Sequence, residues 1–197
     1  MIRLFVGLNI PKEARRRLAV LLSGLSDARW VDPASMHITL RFIGEVDEAV
    51  GEHLADALVA ISAPAFEIAF AGLGAFKRGQ RPTALWAGVA AEPRLDHLHA
   101  KIESAMVRAG LQSEARKFSP HVTLARFRAR FGNSRKTKAS PINKIARWLE
   151  SHGGFRTAPF AVNRFVLFRS RLGSGGAHYE EVAAYPLNRR KLNPAGA

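Results

Sequence analysis

The residues His37-Ile38-Thr39-Leu40 return as His121-Val122-Thr123-Leu124, and the segments around them return in the same order. A strand, a helix, a strand opening on His-x-Thr, a second helix and a Pro-x-Phe or Pro-Phe leading a further strand can be read from about Arg3 to Phe76. The same series runs from about Leu85 to Phe168, with Pro159-Phe160 in the place of Pro64-Ala65-Phe66. Such a duplication limits the fold more than any single element does. It predicts two pseudo-symmetric lobes whose equivalent residues face each other across a cleft on the pseudo-twofold axis.

Hydrophobic periodicity places the elements. Arg3 to Leu8 reads as a buried strand, and Pro11 at a first helical position opens an amphipathic segment carrying Leu18, Leu21, Leu22 and Leu25. Met36 to Ile43 reads as a strand ended by Gly44, with Asp47 capping a helix that carries Val50, Leu54, Leu58 and Ile61. Phe66 to Phe70 and Leu85 to Val89 are strands, and Pro93 starts a helix closed by Gly110. His121 to Phe127 follows as a strand and a helix begins near Pro141. Phe160 to Phe168 and Tyr179 to Tyr185 are the last two strands, joined through the glycines of residues 173–176. Residues 1–187 are expected to form a single domain, with residues 188–197 a frayed tail.

With 47% hydrophobic residues, 197 residues suffice for a substantial core, and the absence of cysteine excludes disulfides, thiolate metal sites and a cysteine nucleophile. The opening residues lack the pattern of a secretory signal, and no apolar run reaches the roughly 20 residues that would span a bilayer, so a cytoplasmic, membrane-free protein is expected. The formal net charge is +14, a field that attracts polyanions, nucleic acid first among them. The excess is concentrated: between Glu114 and Glu150 there is no acidic residue, while ten Lys and Arg fall there. Within that stretch Arg128 to Lys138 reads as a mobile basic loop.

On a strand successive side chains alternate, so each His and its Thr point one way while Ile38 with Leu40, and Val122 with Leu124, point into a core. Two imidazoles facing one another suit the hydrolysis of a cyclic phosphodiester. One takes a proton from water on one side of phosphorus and the other delivers a proton to the departing sugar oxygen on the far side. With an ordinary pKa of about 6.5, one ring can be neutral and the other charged near neutral pH. The hydroxyls of Thr39 and Thr123 can donate to the nonbridging oxygens as phosphorus becomes five-coordinate. This chemistry calls for no metal and no cofactor. Symmetry leaves the acid and base roles interchangeable. His53, His97, His99 and His152 are read as helix-surface residues without a role.

At these motifs the chain resembles the 2H phosphoesterase superfamily, and within it the bacterial RNA 2',3'-cyclic phosphodiesterases, also called 2'-5' RNA ligases. RLFVGLNIP, HITLRFIGEVDE, GLGAFKRGQRPTALWAGV, FSPHVTLARF and FVLFRSRLGSGGAHYE look like the family's blocks in the family's order. The resemblance implies an α+β fold of two lobes, each an antiparallel sheet backed by helices, with the two motif strands lining a central groove. It implies metal-free opening of 2',3'-cyclic phosphate ends of RNA to 2'-phosphates, with joining of 2'-5' linkages as the reverse. It makes His37 the proton donor and His121 the proton acceptor. Arg126 then matches a position that contacts phosphate or base, Phe42 one that stacks on a base, and Tyr179 one that lines the nucleotide pocket.

Strict alternation puts Phe42 and Arg126, each five residues after its His, on the face opposite the histidines unless the strands bulge or twist. Arg41, at an even offset from His37, would instead add charge on the histidine side. The expected partner is RNA ending in a cyclic phosphate, acted on by a monomer with no evident protein partner. Two other readings are a phosphodiesterase of a small cyclic nucleotide derivative and a non-catalytic basic RNA-binding module. Nothing in the chain matches the Gly-rich Lys-Ser/Thr loop of a nucleotide-driven ligase.

Overall fold

The computed structural model describes residues 1–127, 141–173 and 176–188, so the basic loop expected over Arg128 to Lys138 lies outside the described residues, as does the tail beyond 188. The fold is α+β and its named strand pairings are antiparallel. One sheet has the order β10 (Gly176–Pro186), β9 (Arg164–Gly173), β1 (Ile2–Asn9), β3 (His37–Val46). A second has the order β2 (Ala28–Trp30), β7 (His121–Phe127), β6 (Arg81–Val89), β5 (Phe70–Arg78). A two-stranded ribbon pairs β4 (Phe66–Ile68) with β8 (Phe160–Val162). The two Pro-Phe segments of the repeat thus hydrogen-bond to one another.

Each sheet takes strands from both copies of the repeat. β1 and β3 belong to the first copy, yet β1 pairs with β9 from the far end of the chain; β5, which ends the first copy, pairs with β6 of the second. The helices α1 (Lys12–Ala19), α2 (Glu48–Val59), α3 (Pro93–Arg108) and α4 (Pro141–Ser151) turn one stripe inward. α2 buries Leu54 and Leu58, and α3 buries Leu95, Leu98, Ile102 and Met106, into a core shared by both sheets. No helix among the described residues is long and apolar enough to cross a membrane.

Several boundaries differ from the expectation, each for a local reason. α1 stops at Ala19, with Pro11 outside it, and Leu21 and Leu25 reach the core from irregular chain. Gly44 does not end β3; it takes φ +94° within the strand, where its lack of a Cβ permits the left-handed region. Asp47 stands at the start of α2 without a side-chain capping bond. Ala69 and Asn163 each divide what reads as one strand into two, β4 from β5 and β8 from β9. β2 is too short to show a period. Asn188 is not frayed: its amide donates to Ala63 O at 2.9 Å and Ala65 N donates to its carbonyl at 2.8 Å.

The decisive irregularity is shared by the two motif strands. In β3, Thr39 pairs with Gly7 and Arg41 with Val6, so Leu40 has no partner. In β7, Thr123 pairs with Trp86 and Ala125 with Leu85, so Leu124 has none on β6. A bulge therefore occupies the fourth motif position in both strands, and it sends two successive side chains inward before alternation resumes. Leu40 and Arg41 are both buried, as are Leu124 and Ala125, and the residues that follow, Phe42 and Arg126, are exposed.

Arg41 consequently does not serve the histidine face. It is 7% exposed on the core side, with Nε 2.6 Å from Glu103 Oε2 in an ion pair not aligned as a hydrogen bond, and with its guanidinium donating to the carbonyl oxygens of Phe42 and Gln112. Glu114 lies 3.7 Å away. The group ties β3 to α3 and the segment after it. Replacing Arg41 with Leu leaves Glu103 without its cation and is expected to lower the unfolding free energy by about 3 kcal/mol, seen as a reduced urea midpoint at unchanged slope.

Candidate active site

His37 begins β3 and His121 begins β7, and the two strands lie beside each other where the sheets meet. The short β2 pairs only with Ala125 to Phe127 of β7, so the sheet pairing on that edge stops short of the His121 end. Both rings are held in the same way. His37 Nδ1 is 2.9 Å from Ser35 O, and His121 Nδ1 is 2.7 Å from Ser119 O. A carbonyl oxygen only accepts, so in each ring Nδ1–H donates, and Nε2 is left as the nitrogen that gains and loses a proton.

Sequence reasoning missed these two serines. The signal was present, because the repeat extends two residues upstream: Ser-Met-His-Ile-Thr-Leu in one copy, Ser-Pro-His-Val-Thr-Leu in the other. The Asp32 side chain, accepting from Ala34 N at 2.8 Å, shapes the turn at Pro33–Ser35 that presents the first of these carbonyls.

Both imidazoles feel a common cation, and His37 also feels His121. Burial is the largest influence on His37 and pushes its pKa below 6.5; the Ser35 carbonyl opposes this, while the charges of Arg126 and His121 add to the depression. His121 is likewise lowered, first by burial and then by Arg126, against the pull of the Ser119 carbonyl. Arg126 therefore stands close enough to act on both rings. It does so because the Leu124 bulge has carried it to the histidine face, against strict alternation.

Phe42 is brought round by the corresponding bulge. It pairs with Phe5, whose ring lies 4.7 Å from that of His37, so the two phenylalanines share the histidine face. Phe42 is 39% exposed and carries the Arg3 guanidinium 5.1 Å from its ring centroid. Thr39 and Thr123 keep their expected places, half-buried on the same faces as their histidines.

An aromatic wall backs each ring. Tyr179 meets His37 edge-on at 4.6 Å, over a small cluster of Phe5, Val166 and Phe168. Phe76 meets His121 edge-on at 4.8 Å, with Trp86 beyond it. Trp86 lies against Gly74, whose missing Cβ leaves the room: a Cβ there would sit 2.2 Å from the indole ring. The wall on the His121 side was not foreseen, because the sequence reading singled out neither Phe76 nor Trp86. The four histidines read as helix-surface residues have other surroundings. His53 and His97 are exposed; His99 is not a plain surface residue but stacks on Phe118 at 3.8 Å, and His152 packs on Trp148 at 4.5 Å.

Such an arrangement offers two proton-transfer nitrogens, two hydroxyls and a cation to one small anion. Comparison with known proteins agrees in kind. Residues 12–173 match the family model of the 2'-5' RNA ligase superfamily. The chain is 38% identical to an RNA 2',3'-cyclic phosphodiesterase of Aeropyrum pernix, over 88% of this chain and 93% of that one. It is 30% identical to a protein of the same name from Aquifex aeolicus, over 95% and 98%. Its fold superposes on LigT of E. coli complexed with 3'-AMP with a TM-score of 0.74 at 25% identity, covering 95% of this chain and 99% of that one.

The electrostatics are open to direct measurement. In NMR titrations of the free protein, the ring protons of His37 and His121 should both report midpoints below 6.5. Arg126→Ala removes a positive charge that disfavours the imidazolium form, and should move both midpoints upward.

Proposed function

The chain belongs to the 2'-5' RNA ligase superfamily, and from that premise we propose that it is an RNA 2',3'-cyclic phosphodiesterase working by paired-histidine acid and base catalysis. The observation that carries this reading is the identical seating of the two imidazoles, each with Nδ1 engaged by the carbonyl two residues upstream and Nε2 left for chemistry, with Arg126 acting on both. Cytoplasmic RNA ends bearing a cyclic phosphate are its substrates.

In the proposed step, His121 Nε2 accepts a proton from water as the water oxygen attacks phosphorus. The bond from phosphorus to the 3'-oxygen breaks, and His37 Nε2–H delivers a proton to that oxygen, leaving a 2'-phosphomonoester. Thr39 and Thr123 donate to the nonbridging oxygens, Arg126 offsets their charge, and Phe42 stacks on the terminal base. These roles follow the family resemblance. One turnover leaves His37 neutral and His121 charged. Exchange with solvent then reloads His37 with a proton and frees His121 of one, and so belongs to the cycle. Replacing water by the 5'-hydroxyl of another strand uses the same groups and joins a 2'-5' linkage.

Incubated with a chelator and an oligoribonucleotide ending in 2',3'-cyclic phosphate, the protein should yield the 2'-phosphate alone. His37→Ala and His121→Ala should each lower kcat by at least about 10² with substrate affinity largely kept; equal loss of binding and turnover would favour a mere RNA-binding module. A substrate with sulfur in place of the 3'-oxygen, whose thiolate departs without protonation, should restore His37→Ala but not His121→Ala.

The pH dependence has a definite sign. The active pair needs one neutral and one charged ring, and both free-protein pKa values lie below 6.5. The bell of kcat/KM, which reports the free enzyme, should therefore peak below that pH and fall as pH rises past it.

A further inference from the structure

Among the described residues two aromatic side chains are exposed, Phe42 and Phe76, at 39% and 38%. Each stands on the histidine face of its own sheet. Phe76 pairs with Ala84 of β6, and Ala84 pairs with Arg126 of β7. Directly paired residues project to the same side of a sheet, so Phe76 shares the side of Arg126, and its ring reaches to 4.8 Å from that of His121.

The neighbouring indole is laid down by two glycines. Trp86 pairs with Gly74 on one side and with Thr123 on the other. Gly74 leaves the room already described, and a Cβ at Gly88, the partner of His121, would lie 3.2 Å from the same ring. The indole therefore lies along the sheet beside His121, with the Phe76 ring 5.6 Å from it. Together the two rings make an apolar floor next to His121.

A lone exposed phenylalanine is ordinary on a protein surface, and position gives this one its meaning. In the proposed step the attacking oxygen approaches phosphorus from the side of His121, in line with the 3'-oxygen that departs toward His37. Water needs no apolar floor there. A 5'-hydroxyl brings a nucleoside with it, and that nucleoside must extend away from phosphorus on the His121 side. The base of the cyclic end is already given to Phe42, on the strand of His37. We infer that Phe76, supported by Trp86, is the stacking platform for the nucleobase of the RNA end whose 5'-hydroxyl attacks.

This subsite rests on the proposed reaction and deepens it, since it gives the joining of a 2'-5' linkage a place to hold the second strand. In that joining His121 Nε2 takes the 5'-hydroxyl proton as the 5'-oxygen bonds to phosphorus. The bond from phosphorus to the 3'-oxygen breaks, and His37 Nε2–H protonates that oxygen. Phe76 binds the acceptor and transfers no proton. Every base has a π-face, so the platform selects for the presence of a base and not for its identity.

The test uses an oligoribonucleotide that ends in 2',3'-cyclic phosphate and carries a 5'-phosphate, so that it cannot serve as its own acceptor. Adenosine, or methyl riboside with the same 5'-hydroxyl and no base, is supplied as acceptor below saturation, and the ratio of joined to hydrolysed product is measured. Any disturbance of His121 acts on water and hydroxyl alike and cancels in that ratio. The parent protein should favour adenosine. Phe76→Leu, which keeps an apolar side chain against His121, should reduce that preference at least about fivefold, the loss of one base stacked on an aromatic ring. Phe76→Trp should keep it. A preference untouched by Phe76→Leu, a parent protein that treats both acceptors alike, or one that hydrolyses the cyclic phosphate and joins neither acceptor would each overturn the assignment. If the cyclic phosphate is not opened at all, the proposed reaction falls and the subsite with it, a failure marked by the missing hydrolysis product.

Discussion

A bulge at the fourth motif position of each motif strand decides what the two sheets can show each other. Without the bulges at Leu40 and Leu124, the fifth residue after each histidine would enter the core, and Phe42 and Arg126 would be buried beneath the site. With them, the strand serves two purposes along its length. Its first half places His and Thr outward, its middle drives two consecutive side chains into the core, and its second half returns an aromatic ring or a cation to the histidine face. The same device internalises Arg41, whose charge is then absorbed by Glu103 and Glu114.

Around that frame the two half-sites are alike in how the imidazole is seated and unlike in their surroundings. Each imidazole is oriented by a main-chain carbonyl, which does not titrate and so holds the same tautomer at every working pH. The His37 side is backed by a tight stack of Phe5, Phe168 and Tyr179, and the His121 side by the more open Phe76 and Trp86. Burial and the Arg126 charge lower the pKa of both rings, and at His37 the charge of His121 adds to the depression.

Much of this was legible beforehand, and the rest was hidden for identifiable reasons. The repeated His-x-Thr marked the histidines and threonines, because a period of two in an apolar strand states which side chains leave the core. Arg126 and Phe42 were matched by resemblance, while periodicity argued against them; a bulge is a property of the ladder between strands and leaves no mark in one strand's composition. Arg41 was misplaced for the same reason. Ser35 and Ser119 act through their backbone, so side-chain chemistry drew no attention to them, although the repeat included both. β2 was invisible at three residues, and with it its pairing on β7.

The exchange of strands between the copies reaches beyond the site. β1 finds its second neighbour only when residue 4 meets residue 169, and the ribbon forms only when residue 66 meets residue 162. Neither half of the repeat holds a finished sheet, so a nascent chain emerging from the ribosome must wait for its last strands before the first can close. Such sequence-distant contacts slow folding, because the entropy of closing a long loop is spent before any contact repays it. The architecture that sets the two motif strands side by side thus binds the chain into one cooperative unit, built late and all at once.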